Sequence, residues 1–478
     1  MIELADVLIL QRKYAKAKFE LSNAYLKIQN KFKEELGLYA RYLEVEGGFM
    51  LSTGKLDSAK IYLDRAINLR SVIPEVEDTS LHYAFNKMGN YYLALSDYDS
   101  AYLLHKAALD LSLKKVNQVN YSTASSYQNL GIAAHMKGDY NQAQQFYTQS
   151  LLLKEQLFKK NNPALSTIYW TIGKFFTDSY KYELALEYYD KSEQVLNSRY
   201  DRDDLQFAHL YWNKGNVYTL QGDYNRASNF LLKAYSIFED NYGADNQFAY
   251  NVLLDLGFVY QKKGDNEQAI AYYLQAAKNQ KDAKIIKIYR NLGNIFNSQD
   301  DTISADKYYH LSIEYARNYF PGAKYDLALC YQYYGEFLSK QGESASPLKY
   351  YESASEIFGQ MFGDKSKDLA KVYLLESQYY FSEKEYNAAL KKSQEALITL
   401  LPAFNEDNPQ INPGLDDIVI DLYLPNILSF KSKSLFYRYK LSGDLRDLTL
   451  SLETIYLALD VIEEIRKTYF DEESQLIL

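Results

Sequence analysis

At 478 residues with 47% hydrophobic residues, the chain holds enough apolar material for a packed interior but is too long for one ordinary core, which leaves several domains or one array of neighbour-packed units. A formal charge of -9 without a Lys/Arg cluster excludes a phosphate-gripping nucleic-acid surface, and a single cysteine, Cys330, excludes an internal disulfide framework and a cysteine-based zinc site. There is no run of roughly 18 apolar residues, and the first residues lack the basic-then-apolar order of a secretory signal, so a cytoplasmic protein without a membrane span is expected.

From the N-terminus the elements repeat. An alanine recurs at Ala17, Ala59, Ala101, Ala143, Ala185, Ala227 and Ala269 at a constant spacing of 42. A 36-residue interval leads to Ala305, and Pro347 and Ala389 restore 42. The slip falls before Gly293 and predicts one shortened connection between otherwise intact units. Twelve residues before most of these markers stands a glycine: Gly47, Gly89, Gly131, Gly173, Gly215, Gly257, Gly293 and Gly335. A turn of the Gly-Asp type separates the two, as in "KGDYNQA" from Lys137 and "QGDYNRA" from Gln221. Each unit therefore reads as two helices joined by a tight turn. Glycine inside a helix costs about 0.5–1 kcal/mol relative to alanine, so its recurrence predicts close approach of the paired helices, glycine against alanine. The aromatics three after the glycine (Tyr92, Phe176, Tyr218, Tyr260, Phe296) and four after the alanine (Tyr147, Tyr189, Tyr273, Tyr309, Tyr351) are expected to fill the space between successive pairs.

After Ala389 the register breaks. Four of the eight prolines, Pro402, Pro409, Pro413 and Pro425, fall in one stretch, read as an insertion or linker over 401–427. The array would then occupy 1–400 and a helical segment 428–478, whose Ile455, Leu459, Ile462, Ile465 and Tyr469 share one helical stripe.

The registered glycines, alanines and aromatics, with the Gly-Asp-Tyr turns at Gly138 and Gly222, resemble the tetratricopeptide-repeat (TPR) family, whose commonest repeat is 34 residues. The longer period is similar to that of kinesin light chains and of bacterial TPR arrays. The resemblance implies an all-α, right-handed α-α solenoid of about ten helix pairs with a C-terminal helical cap, acting as a non-enzymatic scaffold. The ending "LALDVIEEIRKTYFDEESQLIL" resembles the junction at which bacterial TPR arrays pass into a CHAT domain, a caspase-like protease. It implies, as an alternative, the regulatory half of a protease whose catalytic residues lie outside this sequence. A third reading is the sensor part of a bacterial signalling or transcription regulator.

No catalytic constellation outweighs its packing explanation. His82, His105, His135, His209 and His310 show no paired metal-ligand spacing and read as helix-surface residues, and Cys330 reads as a packing thiol. Asp300-Asp301 and Asp416-Asp417 read as turn and capping residues. No metal and no cofactor are expected. In each first helix the face opposite the core carries the positions six and two before the glycine and one and five after it. That stripe holds Tyr83, Lys87, Asn90, Ser125, Asn129, His209, Asn213, Asn216, Asn251, Asp255, Phe258, Lys287, Asn291 and Asn294. Its amides can both donate to and accept from an extended peptide, and Lys87 and Lys287 can meet carboxylates. TPR proteins similarly bind ligands on the concave surface of their first helices. The expected partner is thus a protein or peptide held on Lys87, Asn90, Asn129, His209, Asn213, Asn216, Asn251, Lys287, Asn291 and Asn294, with no nucleic acid, no membrane, and a monomeric chain.

Overall fold

The computed structural model describes residues 1–10, 14–29, 35–73, 80–114, 119–198, 204–243, 246–278, 282–342, 346–414, 417–418, 421 and 423–475, with the side chains of 10 and 468–475 outside that description. Asp416 lies outside the described residues, as does the Tyr469 side chain. Every element among them is a helix. Ten pairs run in order: α1 (Ile2–Leu10) and α2 (Tyr14–Ile28), α3 (Leu36–Ser52) and α4 (Leu56–Val72), α5 (Leu81–Ala94) and α6 (Tyr98–Leu113), α7 (Tyr121–Met136) and α8 (Tyr140–Leu157), α9 (Pro163–Asp178) and α10 (Tyr182–Asn197), α11 (Leu205–Leu220) and α12 (Tyr224–Tyr242), α13 (Gln247–Lys262) and α14 (Asn266–Ala277), α15 (Lys284–Ser298) and α16 (Thr302–Asn318), α17 (Lys324–Lys340) and α18 (Leu348–Phe362), and α19 (Lys367–Ser382) and α20 (Tyr386–Leu400). An eleventh pair, α21 (Leu424–Ser442) and α22 (Leu445–Gln475), follows. The chain forms two compact units, Met1–Asn241 and Tyr242–Leu478, each a stack of these pairs.

The turn within a pair follows from two residues. Gly138 and Gly222 adopt φ of +85° and +77°, and Asp139 N–H returns to the Ala134 carbonyl at 2.9 Å, closing the end of α7. The aspartate then caps the next helix: Asp139, Asp223, Asp265 and Asp301 each accept the backbone N–H three residues on at 3.0–3.1 Å. At the same turn position Ser96, Tyr180, Asp300 and Lys384 hold left-handed φ of +59° to +63° without glycine's freedom. The close geometry of the pair therefore dictates the turn more strongly than the local residue does.

The helical glycines do make room, but for a different partner than expected. A Cβ on Gly131 would sit 2.7 Å from the Tyr147 ring, and a Cβ on Gly47, Gly89, Gly173, Gly215, Gly257, Gly293 or Gly335 would lie 2.5–2.8 Å from Leu63, His105, Tyr189, Leu231, Tyr273, Tyr309 or Tyr351. Each partner stands four residues after the marker, an alanine or, for Tyr351, Pro347, on the second helix of the same pair. The marker alanines themselves are fully buried. The aromatics three after the glycine also close their own pair: Phe296 stacks on Tyr308 at 5.4 Å and 3°, and Tyr218 on Phe230 at 5.5 Å and 11°. Contacts to the next pair come from the ring on glycine, as in Tyr147–Phe175 (5.5 Å) and Tyr309–Phe337 (5.4 Å). The six-residue slip is likewise taken from a helix and not from a connection. α14 has 12 residues, against 16, 18 and 19 in α10, α8 and α12.

In the second unit the irregular stretch after α20 ends at α21, whose first turn carries Pro425, the position where a missing N–H costs nothing. Lys365 Nζ donates to the Ile398, Leu401 and Phe404 carbonyls at 2.6, 3.1 and 3.0 Å, capping α20 and fixing the start of the stretch. Buried Lys431 donates to Gln394 Oε1 and to the Ile411 carbonyl, both at 2.7 Å. The α22 stripe splits: Ala458 and Val461 pack inward with Ile455 and Ile465 against them, while Leu459 and Ile462 face out with Leu452 and Tyr456.

Two predictions follow from this packing. Gly131→Ala should destabilise by about 1–3 kcal/mol despite alanine's better helix propensity, because the methyl overlaps the Tyr147 ring. Adding Tyr147→Leu, which copies the buried Ala5–Leu21 combination of the first pair, should recover part of the loss in denaturant titration. Burial also lowers the pKa of Lys431 to about 7 and that of Lys154 to about 8, neither facing a carboxylate. Between pH 7 and pH 9 the unfolded chain keeps protons that the folded chain has released, so the melting temperature should rise with pH over that window. Lys431→Met or Lys154→Met should each flatten the slope.

Candidate functional site

Within each unit the first helices form a wall. α1 packs on α3, α3 on α5, α5 on α7 and α9 on α11; in the other unit α13 packs on α15, α15 on α17, α17 on α19 and α19 on α21. Among the described residues no second helix packs as closely on the second helix of the next pair. The small residues of the first helices permit this approach, and it half-buries most of the expected stripe, leaving only Tyr83 and Lys287 exposed.

In the first unit Lys87 is not a spare cation. Its Nζ lies 2.9 Å from Asp6 Oδ1, inside a network in which Arg41 meets Glu3 (2.8 Å), Asp6 (2.9 Å) and Glu44 (3.4 Å), and Arg70 meets Glu44 (2.8 Å). The hydrogen bond from Arg41 holds the Glu3 carboxyl below its usual range, whereas burial pushes Glu44 up. The network staples α1, α3, α4 and α5 across the stripe. Asn129 donates to Asn86 Oδ1 at 3.4 Å, and Asn86 in turn donates to Ser126 Oγ at 3.0 Å and stands 3.0 Å from His105 Nδ1. Asn213 donates into its own helix, to the His209 carbonyl at 2.7 Å, and the His209 ring lies edge-on to Phe238. Asn90 and Asn216, both one residue past the glycine, are half-buried and have no side-chain hydrogen bond among the described residues.

In the second unit Asn251 accepts from Lys284 Nζ at 2.7 Å, and Lys287 is exposed. The Asn291/Asn294 pair is structural, contrary to the expected free stripe. Asn291 is 9% exposed and donates to the Tyr273 hydroxyl at 3.0 Å, while Asn294 accepts from the Tyr309 hydroxyl at 2.7 Å. Both amides satisfy the phenols that the glycines admit to the core.

The remaining candidates resolve into packing. His82 and His105 are fully buried and His135 nearly so, against the expected helix surface; His105 fills the ring position opposite Gly89. Cys330 is buried, and burial pushes its thiol up, away from the reactive thiolate. Asp301 caps α16. Among the described residues no group of three or more His, Cys, Asp or Glu could hold a metal ion, and no helix is long and apolar enough to cross a membrane. Sequence reasoning missed the position just before the glycine. It is apolar in most pairs but is Glu46, Lys214 and Glu376 in three of them, a break in pattern that the register makes readable.

Stacked helix pairs with a small residue at each crossing define a helical-repeat protein of the interaction-scaffold class. Four overlapping stretches, residues 80–156, 122–198, 164–240 and 206–282, match the family model of the tetratricopeptide repeat, so this part of the chain carries tetratricopeptide repeats. The fold is similar to that of the apo form of RapI, at 16% identity and a TM-score of 0.52 over 75% of this chain and 97% of that one. It is similar also to the apo form of the quorum sensor NprR from B. thuringiensis, at 14% identity and a TM-score of 0.53 over 75% of this chain and 98% of that one. No curated protein matches the chain.

Asn291→Ala should destabilise the protein by about 1–2 kcal/mol, because the Tyr273 hydroxyl loses its donor and keeps only Gln261. Asn90→Ala should leave the chemical-denaturation midpoint unchanged.

Proposed function

We propose that the chain is a non-catalytic scaffold that holds an extended peptide or protein segment against the face of its first helices. The observation that carries this reading is the pair Asn90 and Asn216. They occupy the same register on α5 and α11, half-buried, with donors and acceptors that no described side chain or backbone group uses. An amide in that position can meet both the N–H and the C=O of an extended strand, which suits capture through the backbone with little demand on sequence. Lys87, Asn129, Asn251, Asn291 and Asn294 serve instead to hold the helices that present this face, and Asn213 bonds to the backbone of its own helix.

A second reading makes the chain the regulatory segment of a larger assembly, either ahead of a CHAT-type protease or as the sensor part of a bacterial regulator. The outward stripe of α22 favours it, since Leu452, Tyr456 and Leu459 are at least half exposed on the last pair and have the chemistry of a packing face. The fold shared with the quorum sensor NprR is compatible with such a role.

Peptides selected from a displayed random library on the full chain provide the test. The expected result is that Asn90→Ala combined with Asn216→Ala weakens the selected peptides by about 1–3 kcal/mol in calorimetric titration, with helicity unchanged. Unaltered affinity in the double variant would remove the first-helix face from the reading.

A further inference from the structure

The position just before the repeat glycine points into the stack, and in two of the three pairs where it is charged it finds a counter-ion on a neighbouring second helix. Lys214 Nζ meets Asp190 Oδ1 at 2.6 Å and also Glu193, five and eight residues after the marker alanine of the preceding second helix. Glu376 Oε2 meets Lys392 Nζ at 2.7 Å, three residues after the marker of its own second helix. Glu46 is the third such residue and is only 9% exposed. At the three registers that supplied the counter-ions, it faces Ser22, Tyr25 and Tyr62. Its one hydrogen bond among the described residues comes from the Tyr42 hydroxyl, which donates to Oε2 at 3.2 Å.

These three residues line a pocket of about 1010 Å³ between α2, α3 and α4, with Tyr39, Tyr42, Phe49 and Glu46. Tyr25 and Tyr42 lie 5.8 Å apart and tilted, and Tyr39 and Tyr42 are stacked at 6.3 Å. Three exposed cations, Lys18, Lys55 and Arg65, stand at the rim. Lys18 is exposed and acts on Glu46 without forming an ion pair, and exposed Arg65 donates to the Tyr39 hydroxyl at 3.0 Å. Desolvation raises the Glu46 pKa, a cost that a bound positive charge would offset.

We infer that this pocket binds an organic cation, an ammonium or guanidinium group, seated among the tyrosine rings with Glu46 as its counter-ion. The aromatic walls supply the cation–π surface, the carboxylate supplies the charge, and the vacant counter-ion registers supply the space. The site lies on the side of the second helices α2 and α4, separate from the first-helix face, so it stands or falls independently of that reading.

The test titrates the full chain with two kinds of probe. N-acetyl-arginine amide and N-acetyl-trimethyllysine amide represent free cations; a capped Ala-Ala-Arg-Ala-Ala peptide and its neutral citrulline analogue represent a peptide-borne one. Saturable binding is expected, with the citrulline peptide at least about tenfold weaker than the arginine peptide. A tighter peptide than free arginine identifies a basic protein segment as the source, and equal affinity identifies a small amine. Glu46→Gln keeps the shape and the tyrosine hydrogen bond and should lose at least about tenfold. Tyr62→Lys places an amine where Lys392 meets Glu376, so it should close the site from within and lose a similar factor even if Glu46→Gln fails to fold. Failure of every cation to saturate, equal binding of the citrulline peptide, or wild-type affinity in Tyr62→Lys would each overturn the assignment.

Discussion

In eight helix pairs a glycine on the first helix lies against a side chain sixteen residues later on the second, at a separation no Cβ would allow. This contact sets how near the two axes come, and other features follow from that spacing. The three-residue turn must reverse the chain over a short gap, so one residue is driven to positive φ whether or not glycine is available. The marker alanine must be small because it faces the same crossing. The ring admitted by the glycine is long enough to reach the next pair, so one contact both closes a repeat and couples it to its neighbour. The pair lacking glycine in the second unit solves the same problem with hydrogen bonds. Ser377 and Ser393 occupy the two registers, their hydroxyls 2.7 Å apart.

That constraint explains what the sequence could and could not disclose. Backbone spacing is enforced locally, so glycine, alanine and turn residues recur at fixed distances and the ten pairs were legible from their register. The destinations of polar side chains are not local. Lys87 finds Asp6 81 residues away, and Asn291 reaches back across a pair boundary to Tyr273. Helical geometry places such residues on the first-helix face, but only the three-dimensional stack reveals which neighbour has already claimed their hydrogen bonds. A partial signal was present in the tyrosines, since a phenol inserted into a core requires a partner and the nearby asparagines are suitable ones. The shortening of α14 was equally hidden, because a change in spacing does not say whether helix or connection has been removed.

The polar groups of the first-helix wall thus divide by function. Those with internal partners convert a soft stack into a positioned one, as the Arg41 network does for α1, α3, α4 and α5. Asn90 and Asn216, without side-chain hydrogen bonds among the described residues, and Glu46, which has only the Tyr42 hydroxyl and no counter-ion, stand out against equivalents that are satisfied. In a repeat array an unsatisfied position is informative, since its counterparts show what the fold supplies when no ligand is meant to.

The tenant of the space opposite each glycine is leucine, tyrosine or, once, histidine. Leucine and tyrosine are indifferent to acid, but His105 is not. Burial lowers its pKa to about 4, so the folded chain refuses a proton that the unfolded chain accepts from about pH 6.5 downward. Acidification therefore strains the α5–α6 joint, where the stack has put a titratable ring in place of leucine or tyrosine. A structure assembled from near-identical modules acquires in this way an acid-sensitive joint, placed by one ring substitution.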